Sequence, residues 1–254
     1  MFQVFSKNFH PSDKKLASDT SSEYRRIEFM PRVPRNFQDG LIYHVLNRGN
    51  SKKVVFHNTC DYHGFLKLIE DTVKNFAIDI FAYCLMPNHF HFVVRPRIAE
   101  HLSKWMHLLM TSHVQRYRIF YQSSGHIWGD RFKHFIIQQD VHFLTVLRYV
   151  ERNPVRANLV PSAKDWQWSS FRGRMKKTSN SIIDIPPVDL PNDWGEFVNR
   201  PLTEKELESI RYSVNRQVPF GSKKWKKKIS KELGLEKTLK PRGRPKKKKK
   251  GETE

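Results

Sequence analysis

Ile78-Asp79-Ile80-Phe81-Ala82-Tyr83-Cys84-Leu85-Met86-Pro87-Asn88-His89-Phe90-His91-Phe92-Val93-Val94 holds two runs of strand formers with a break between them. Ile78 to Leu85 is the first run, Met86-Pro87-Asn88 interrupts it, and His89 to Val94 resumes. Three residues are too few for a parallel crossover, so the two strands pair antiparallel. On the second strand, residues two apart share a face. His89 and His91 therefore project together, and Phe90 turns to the opposite side.

Upstream, Leu41-Ile42-Tyr43-His44-Val45-Leu46 is rich in strand formers and ends in the turn-like Asn47-Arg48-Gly49-Asn50. Between Cys60 and Lys74 the apolar residues Phe65, Leu66, Leu68, Ile69 and Val73 recur at helical spacing. Downstream, a longer helix is expected from about Ala99 to Tyr121, with Leu102, Trp105, Met106, Leu109 and Met110 on one side. His134 to Gln138 reads as a strand, and Val141 to Glu151 as a helix stopped by Asn153-Pro154. The order β-α-β-β-α-β-α predicts an α+β fold, a ferredoxin-like antiparallel sheet with helices on one face.

The rest of the chain divides by composition. Residues 1–35 mix Ser, Asp, Lys and Pro without period and read as a mobile lead-in. The main domain is expected over 36–175. Residues 176–222 read as a linker and short helical extension, with a helix at Glu204 to Val214. Residues 223–254 read as a basic, partly disordered C-terminal extension, with a short helix at Trp225 to Leu233 and no regular structure at Gly234 or beyond Pro241.

The 254 residues are 38% hydrophobic and 13% aromatic, enough for a core, which excludes a wholly disordered chain. No apolar run approaches the roughly 18 residues of a membrane span. The start, MFQVFSKNFH, has no apolar signal region, and two cysteines, Cys60 and Cys84, suit a reducing compartment. A cytoplasmic, nucleoid-associated protein is the expectation. The formal charge is +21, of which Lys223 to Lys250 carries +13, from 15 basic and two acidic residues. A basic body with a more basic tail points to a polyanion, nucleic acid before a membrane surface, because the tail lacks amphipathic alternation.

Two constellations carry chemistry. Neutral imidazoles side by side at His89 and His91 make half of a divalent-metal site, although a chain with 12 His will also hold incidental pairs. Cys60 and Cys84 with these histidines would make a weaker, structural zinc set. In Tyr149-Val150-Glu151-Arg152-Asn153-Pro154, Tyr149 and Asn153 lie one helical turn apart on one face. A tyrosine hydroxyl can act as a nucleophile, and an amide oxygen beside it can help hold a hard cation. Spacing alone favours the plainer reading, a core aromatic and a helix cap before proline.

Leu85-Met86-Pro87-Asn88-His89-Phe90-His91 resembles the strand motif of the HUH single-tyrosine transposases. Arg148-Tyr149-Val150-Glu151-Arg152-Asn153-Pro154-Val155-Arg156-Ala157 resembles the nucleophile helix of their REP-associated branch. Four further stretches fall in the same order: Tyr43-His44-Val45 with Asn47-Arg48-Gly49-Asn50, then Ala82-Tyr83-Cys84-Leu85-Met86, then Trp128 with Arg131-Phe132, then Trp166-Gln167-Trp168-Ser169-Ser170-Phe171. The resemblance covers about residues 36 to 175. It implies that His89, His91 and Asn153 bind Mg²⁺ or Mn²⁺. It implies that Tyr149 attacks single-stranded DNA at hairpin-forming repeats, leaving a 5′-phosphotyrosine link and a free 3′-OH. Tyr117 and Tyr121 are alternative nucleophiles of lower rank. Arg48, Trp128 and Arg131 are candidate DNA contacts, by charge or base stacking. Pro241-Arg242-Gly243-Arg244-Pro245 followed by five lysines resembles an AT-hook, in which Arg242 and Arg244 would enter the minor groove of A·T-rich duplex. Rival readings are a repeat-DNA-binding architectural or regulatory protein with an idle site, and a structural zinc protein that binds RNA. Monomer and homodimer both remain open.

Overall fold

The computed structural model describes residue 35, residues 37–176 and residues 182–240. From residue 37 on, these lie within one compact unit, Asn36–Glu254. The expected lead-in, apart from residue 35, and the AT-hook-like Arg242 and Arg244 lie outside the described residues.

Four strands form one sheet: β1 (Ile42–Arg48), β2 (Ile78–Met86), β3 (His89–Pro96) and β4 (Lys133–Ile137). Their order is β2-β3-β1-β4, and every neighbouring pair is antiparallel. β1 and β2 thus run parallel with β3 between them, joined by α1 (Thr59–Val73). β3 and β4 flank β1 in the same way, joined by α2 (Ala99–Tyr121). Two interleaved split β-α-β units of this kind make the ferredoxin-like α+β arrangement expected from the sequence.

Alternation along the strands sorts side chains onto two faces. Tyr43, Val45, Leu85, Phe90 and Phe92 face α1 and α2, where Phe65, Ile69, Leu102, Trp105 and Leu109 meet them. Each side chain of this size contributes about 1.5–3 kcal/mol when fully buried. Ile42, Cys84, Val93, Phe135 and Ile137 face the other way, and so do both Phe81 and Ala82. The two consecutive residues share a side because a register shift between Ile80 and Ala82 inserts a bulge there.

Helices were expected on one face, and α1 and α2 meet that expectation. The opposite face is covered as well. It packs against α3 (Val141–Glu151), α5 (Ser170–Lys176), α6 (Trp194–Asn199) and α7 (Glu204–Arg216), through Phe143, Leu147, Phe171, Trp194, Val198 and Ile210. A four-residue α4 (Asn153–Arg156) follows α3 almost without a break. The expected domain end near residue 175 therefore meets a core that continues through 182–240. Phe220 even extends the sheet, its N–H donating to the Ile136 carbonyl at 2.7 Å and its carbonyl accepting from Gln138 N–H at 2.9 Å.

The front of the basic extension is also ordered. In α8 (Lys223–Glu232), Ile229 and Trp225 pack on the α1/α2 side while Lys223, Lys224, Lys227, Lys228 and Lys231 stay exposed. A further turn, α9 (Glu236–Leu239), follows Gly234 and ends before Pro241. Helix starts follow local chemistry: Asn58 and Asp61 form a reciprocal capping box on α1, and Thr203 and Glu206 do the same on α7.

Candidate active site

The second face of the sheet carries three buried imidazoles. His89 and His91 alternate with Phe90 on β3, and His44 stands on the neighbouring β1. The His89 and His91 ring centroids are 4.9 Å apart, and His44 Nε2 lies 2.9 Å from His91 Nδ1. Burial pushes His44 down to about 3, aided by the charge His89 would carry. Burial also takes His89 to about 3, with Arg48 and Arg156 acting in the same direction. His91 lies well below the ordinary histidine range, chiefly from burial and then from its neighbours His89, His44, Arg156 and Arg48. All three rings are therefore neutral at pH 7, the form in which a ring nitrogen offers a lone pair.

α3 and α4 lay the tyrosine and the amide over these rings. Tyr149 is 7% exposed, and its ring is edge-on to His91 at 5.8 Å and to His44 at 6.2 Å. One turn later, Asn153 Nδ2 is 2.6 Å from His91 Nε2. The Arg156 guanidinium sits 5.6 Å from the Tyr149 ring centroid and donates to Asn153 Oδ1 at 2.7 Å. Burial raises the Tyr149 hydroxyl above its usual range, while Arg156, Arg211 and Arg48 pull it back. Four residues picked out by sequence, His89, His91, Tyr149 and Asn153, thus converge on one face, together with Arg48 from the end of β1.

Residues 37–153 match the family model "Transposase IS200 like". A Haemophilus influenzae protein named as a REP-associated tyrosine transposase is 26% identical over 142 residues, spanning 52% of this chain and 74% of that protein. A solved structure of a REP-associated tyrosine transposase bound to a REP hairpin superposes with a TM-score of 0.50 at 18% identity, covering 68% of this chain and all of that one, a likeness of fold. Over residues 37–153 the chain is thus similar to the IS200-like transposases.

The helix that carries Tyr149 is held from behind. Glu151, fully buried, accepts from Ser170 Oγ at 2.7 Å, Arg174 Nε at 3.1 Å and Trp194 Nε1 at 2.9 Å. It sits two residues from both Tyr149 and Asn153, so α5 and α6 lock the rotation of α3. Arg148 adds an ion pair to Glu206 on α7 at 2.6 Å. Neither Glu151 nor His44 was among the site residues read from sequence. His44 had one signal available: it stands two residues from Ile42, so it shares a face with it, and the β1–β3 register brings that face to His91.

The other candidates separate. Arg131 is exposed on a loop that Gly129 N–H pins to the Arg48 carbonyl at 2.8 Å, beside the site. Trp128 is 5% exposed on the opposite face, packed among Phe56, Phe65 and Phe90, with Nε1 bonded to His113 at 3.2 Å. Its ring faces are taken by the core, so it does not stack a base in this structure. Tyr117 and Tyr121 lie on α2, across the sheet from the imidazoles. Tyr121 donates to Asp61 at 2.7 Å, and its hydroxyl is pushed up to about 12 by burial and by that carboxylate. Cys60 is exposed at the start of α1 and Cys84 is buried on the other face, which splits the zinc set. The Trp166 and Trp168 segment ties the body together, Trp166 Nε1 donating to the Leu85 carbonyl at 2.9 Å and Trp168 stacking on Tyr62 at 4.7 Å.

Gly49, at the turn after β1, closes the rim. A Cβ there would stand 2.3 Å from the Lys53 carbonyl oxygen, so no other residue fits this turn unchanged.

Proposed function

We propose that this protein cleaves and rejoins single-stranded DNA at hairpin-forming repeats, using Tyr149 as nucleophile and a divalent cation held by His89, His91 and Asn153. The observation that supports this most is the convergence of Asn153 on His91 at 2.6 Å with the Tyr149 ring 5.8 Å from the same imidazole. Among the described residues no group of three or more His, Cys, Asp or Glu is arranged to hold a metal. Two neutral imidazoles and an amide nevertheless fit a cation that takes its remaining ligands from DNA phosphate and water. Such a cation, when bound, polarises a non-bridging phosphate oxygen and offsets charge in the transition state.

The protein's own part is proton and position. Tyr149 Oη forms a bond to phosphorus as it gives up its proton. The bond from phosphorus to the 3′ oxygen breaks, and that oxygen leaves with the electron pair and takes a proton. The product is a 5′-phosphotyrosine and a free 3′-OH. Because one phosphodiester replaces another, a second 3′-OH can reverse the step and join strands with no added energy source. Arg156, Arg211 and Arg48 favour the tyrosinate against its burial. The hairpin in the related solved structure and the exposed lysines of α8 support DNA as the partner.

The test is a 3′-labelled hairpin with single-stranded flanks, incubated with the full chain and Mg²⁺ or Mn²⁺ and run on a denaturing gel. A labelled protein band is expected. It should disappear with EDTA, return with added cation, and be absent in His89→Ala and His91→Ala. Adduct formation in full chelator would overturn the metal-assisted step.

A further inference from the structure

The donor and acceptor roles around His91 follow one from another. A guanidinium only donates. Arg156 donates to Asn153 Oδ1 at 2.7 Å, so the amide oxygen faces the arginine and the amide NH₂ faces His91. An NH₂ group also only donates, so His91 Nε2, 2.6 Å away, accepts. The ring's one proton is then on Nδ1, directed at His44 Nε2 at 2.9 Å. His44 Nε2 accepts in turn and keeps its own proton on Nδ1. That atom is buried and has no hydrogen-bond partner among the described residues.

The reverse direction fails. If His44 donated to His91, the proton of His91 would sit on Nε2 and meet the amide NH₂ head-on. A doubly protonated His91 would meet it in the same way. The chain Arg156, Asn153, His91, His44 runs in one sense only, and it ends on an unsatisfied N–H in the core. A buried group left so is destabilising. His44 could be relieved of it by becoming Phe, which would suit the neighbouring Phe135 ring at 4.8 Å.

We infer that His44 is a positioning residue that holds His91 as the Nδ1–H form, keeping its Nε2 lone pair turned toward Asn153 and the Tyr149 side of the sheet. Its consequence for metal binding rests on the proposed role of His89 and His91, but the assignment of the proton does not. An imidazole ligand whose second nitrogen is held by a partner binds its metal more tightly, and loss of the partner typically costs 10–100-fold in affinity.

The test uses the metal-free full chain and the ring ¹⁵N shifts of His91, followed by Mn²⁺ titration read by the EPR signal of the free ion. Wild type is expected to show His91 as the Nδ1–H form. His44→Phe should shift it toward a mixture with the Nε2–H form. His44→Gln, whose amide oxygen can accept the same bond, should keep the wild-type spectrum. Mn²⁺ affinity should fall about 10–100-fold in His44→Phe and recover in His44→Gln. A wild-type His91 protonated on Nε2 would overturn the inference, whether or not either variant folds. So would a His44→Phe chain with unchanged ring shifts. Absence of Mn²⁺ binding in wild type would instead count against the metal reading, while the ring spectrum would still decide the proton's place.

Discussion

The two faces of one sheet do different work. Toward α1 and α2 the strands present Tyr43, Val45, Phe90 and Phe92, and the buried partners are almost all apolar. Toward α3 they present His44, His89 and His91, and what covers them includes Tyr149 and Asn153. A single strand, β3, serves both through alternation, Phe90 and Phe92 to one side and His89 and His91 to the other. The face that gives up apolar packing to polar groups gains definition of position, because each buried polar atom needs a directed partner and so has one place to be. The second face thus adds the proposed chemistry to apolar packing, while the first carries packing almost alone.

The sharpest way to break that comparison is to strike each face in turn. Tyr149→Phe removes one oxygen and should lower adduct formation below detection, at least 1,000-fold by about the scale of losing a nucleophile, with thermal stability kept. Adduct persisting in this variant would return the nucleophile to Tyr117 or Tyr121. Phe90→Ala, one face over, should instead cost about 3–5 kcal/mol in urea unfolding. If Phe90→Ala left stability intact, the α1/α2 face would not be the structural one.

Glu151 tests the boundary between the two roles. Glu151→Ala strands the largely buried Arg174 and should cost about 3–5 kcal/mol, as removing one partner of a buried pair does. Glu151→Gln keeps the shape and should cost less. Equal unfolding midpoints for wild type and Glu151→Ala would show that α5 and α6 do not depend on this carboxylate.

A pH series sharpens the comparison further. His44 and His89 lie at about 3 in the folded chain, against about 6.5 when unfolded. Between those values the unfolded chain binds more protons, so acid favours unfolding. The stability they contribute is complete above about pH 6.5 and is lost as pH falls toward 3, at no more than about 1.4 kcal/mol per pH unit for each ring. The first face adds one such ring, His113, lowered to about 4 by burial. Urea midpoints measured from pH 7 to pH 4 should fall, and the fall should be shallower in His44→Phe. A flat profile would mean that these rings are hydrated.

The smallest effect belongs to α8. Lys227→Gln with Lys228→Gln should lower the slope of log affinity against log salt by about 1 for each lysine that pairs with a phosphate. Fluorescence anisotropy on a hairpin reads this directly, and an unchanged slope would place the DNA on another surface.

How much of this was legible depends on how local each signal is. α2 and α3 appear at their expected limits because their apolar spacing, and the Asn153-Pro154 stop, are contained in a few turns. His89 and His91 were legible because alternation needs only one strand. His44 was not, because its meaning depends on which strand lies beside β1, a fact of register. Glu151 looked like an ordinary helix carboxylate, since Ser170, Arg174 and Trp194, which bury it, come from short elements without clear period. Trp128 was misjudged as a base-stacking residue because a tryptophan beside Gly129 and Arg131 in a loop resembles a clamp until its neighbours are known.

The interleaving of the two split β-α-β units also governs when the site can exist. His44 meets His91 across 47 residues of chain, and His91 meets Asn153 across 62. Pairings that distant form late, after the loops between them have been closed. On a ribosome the paired histidines emerge well before the tyrosine, and the tyrosine before Ser170, Arg174 and Trp194, which hold its helix still. A half-made chain therefore carries each ingredient without the geometry, and the proposed nucleophile is aligned only after Trp194 has joined the fold.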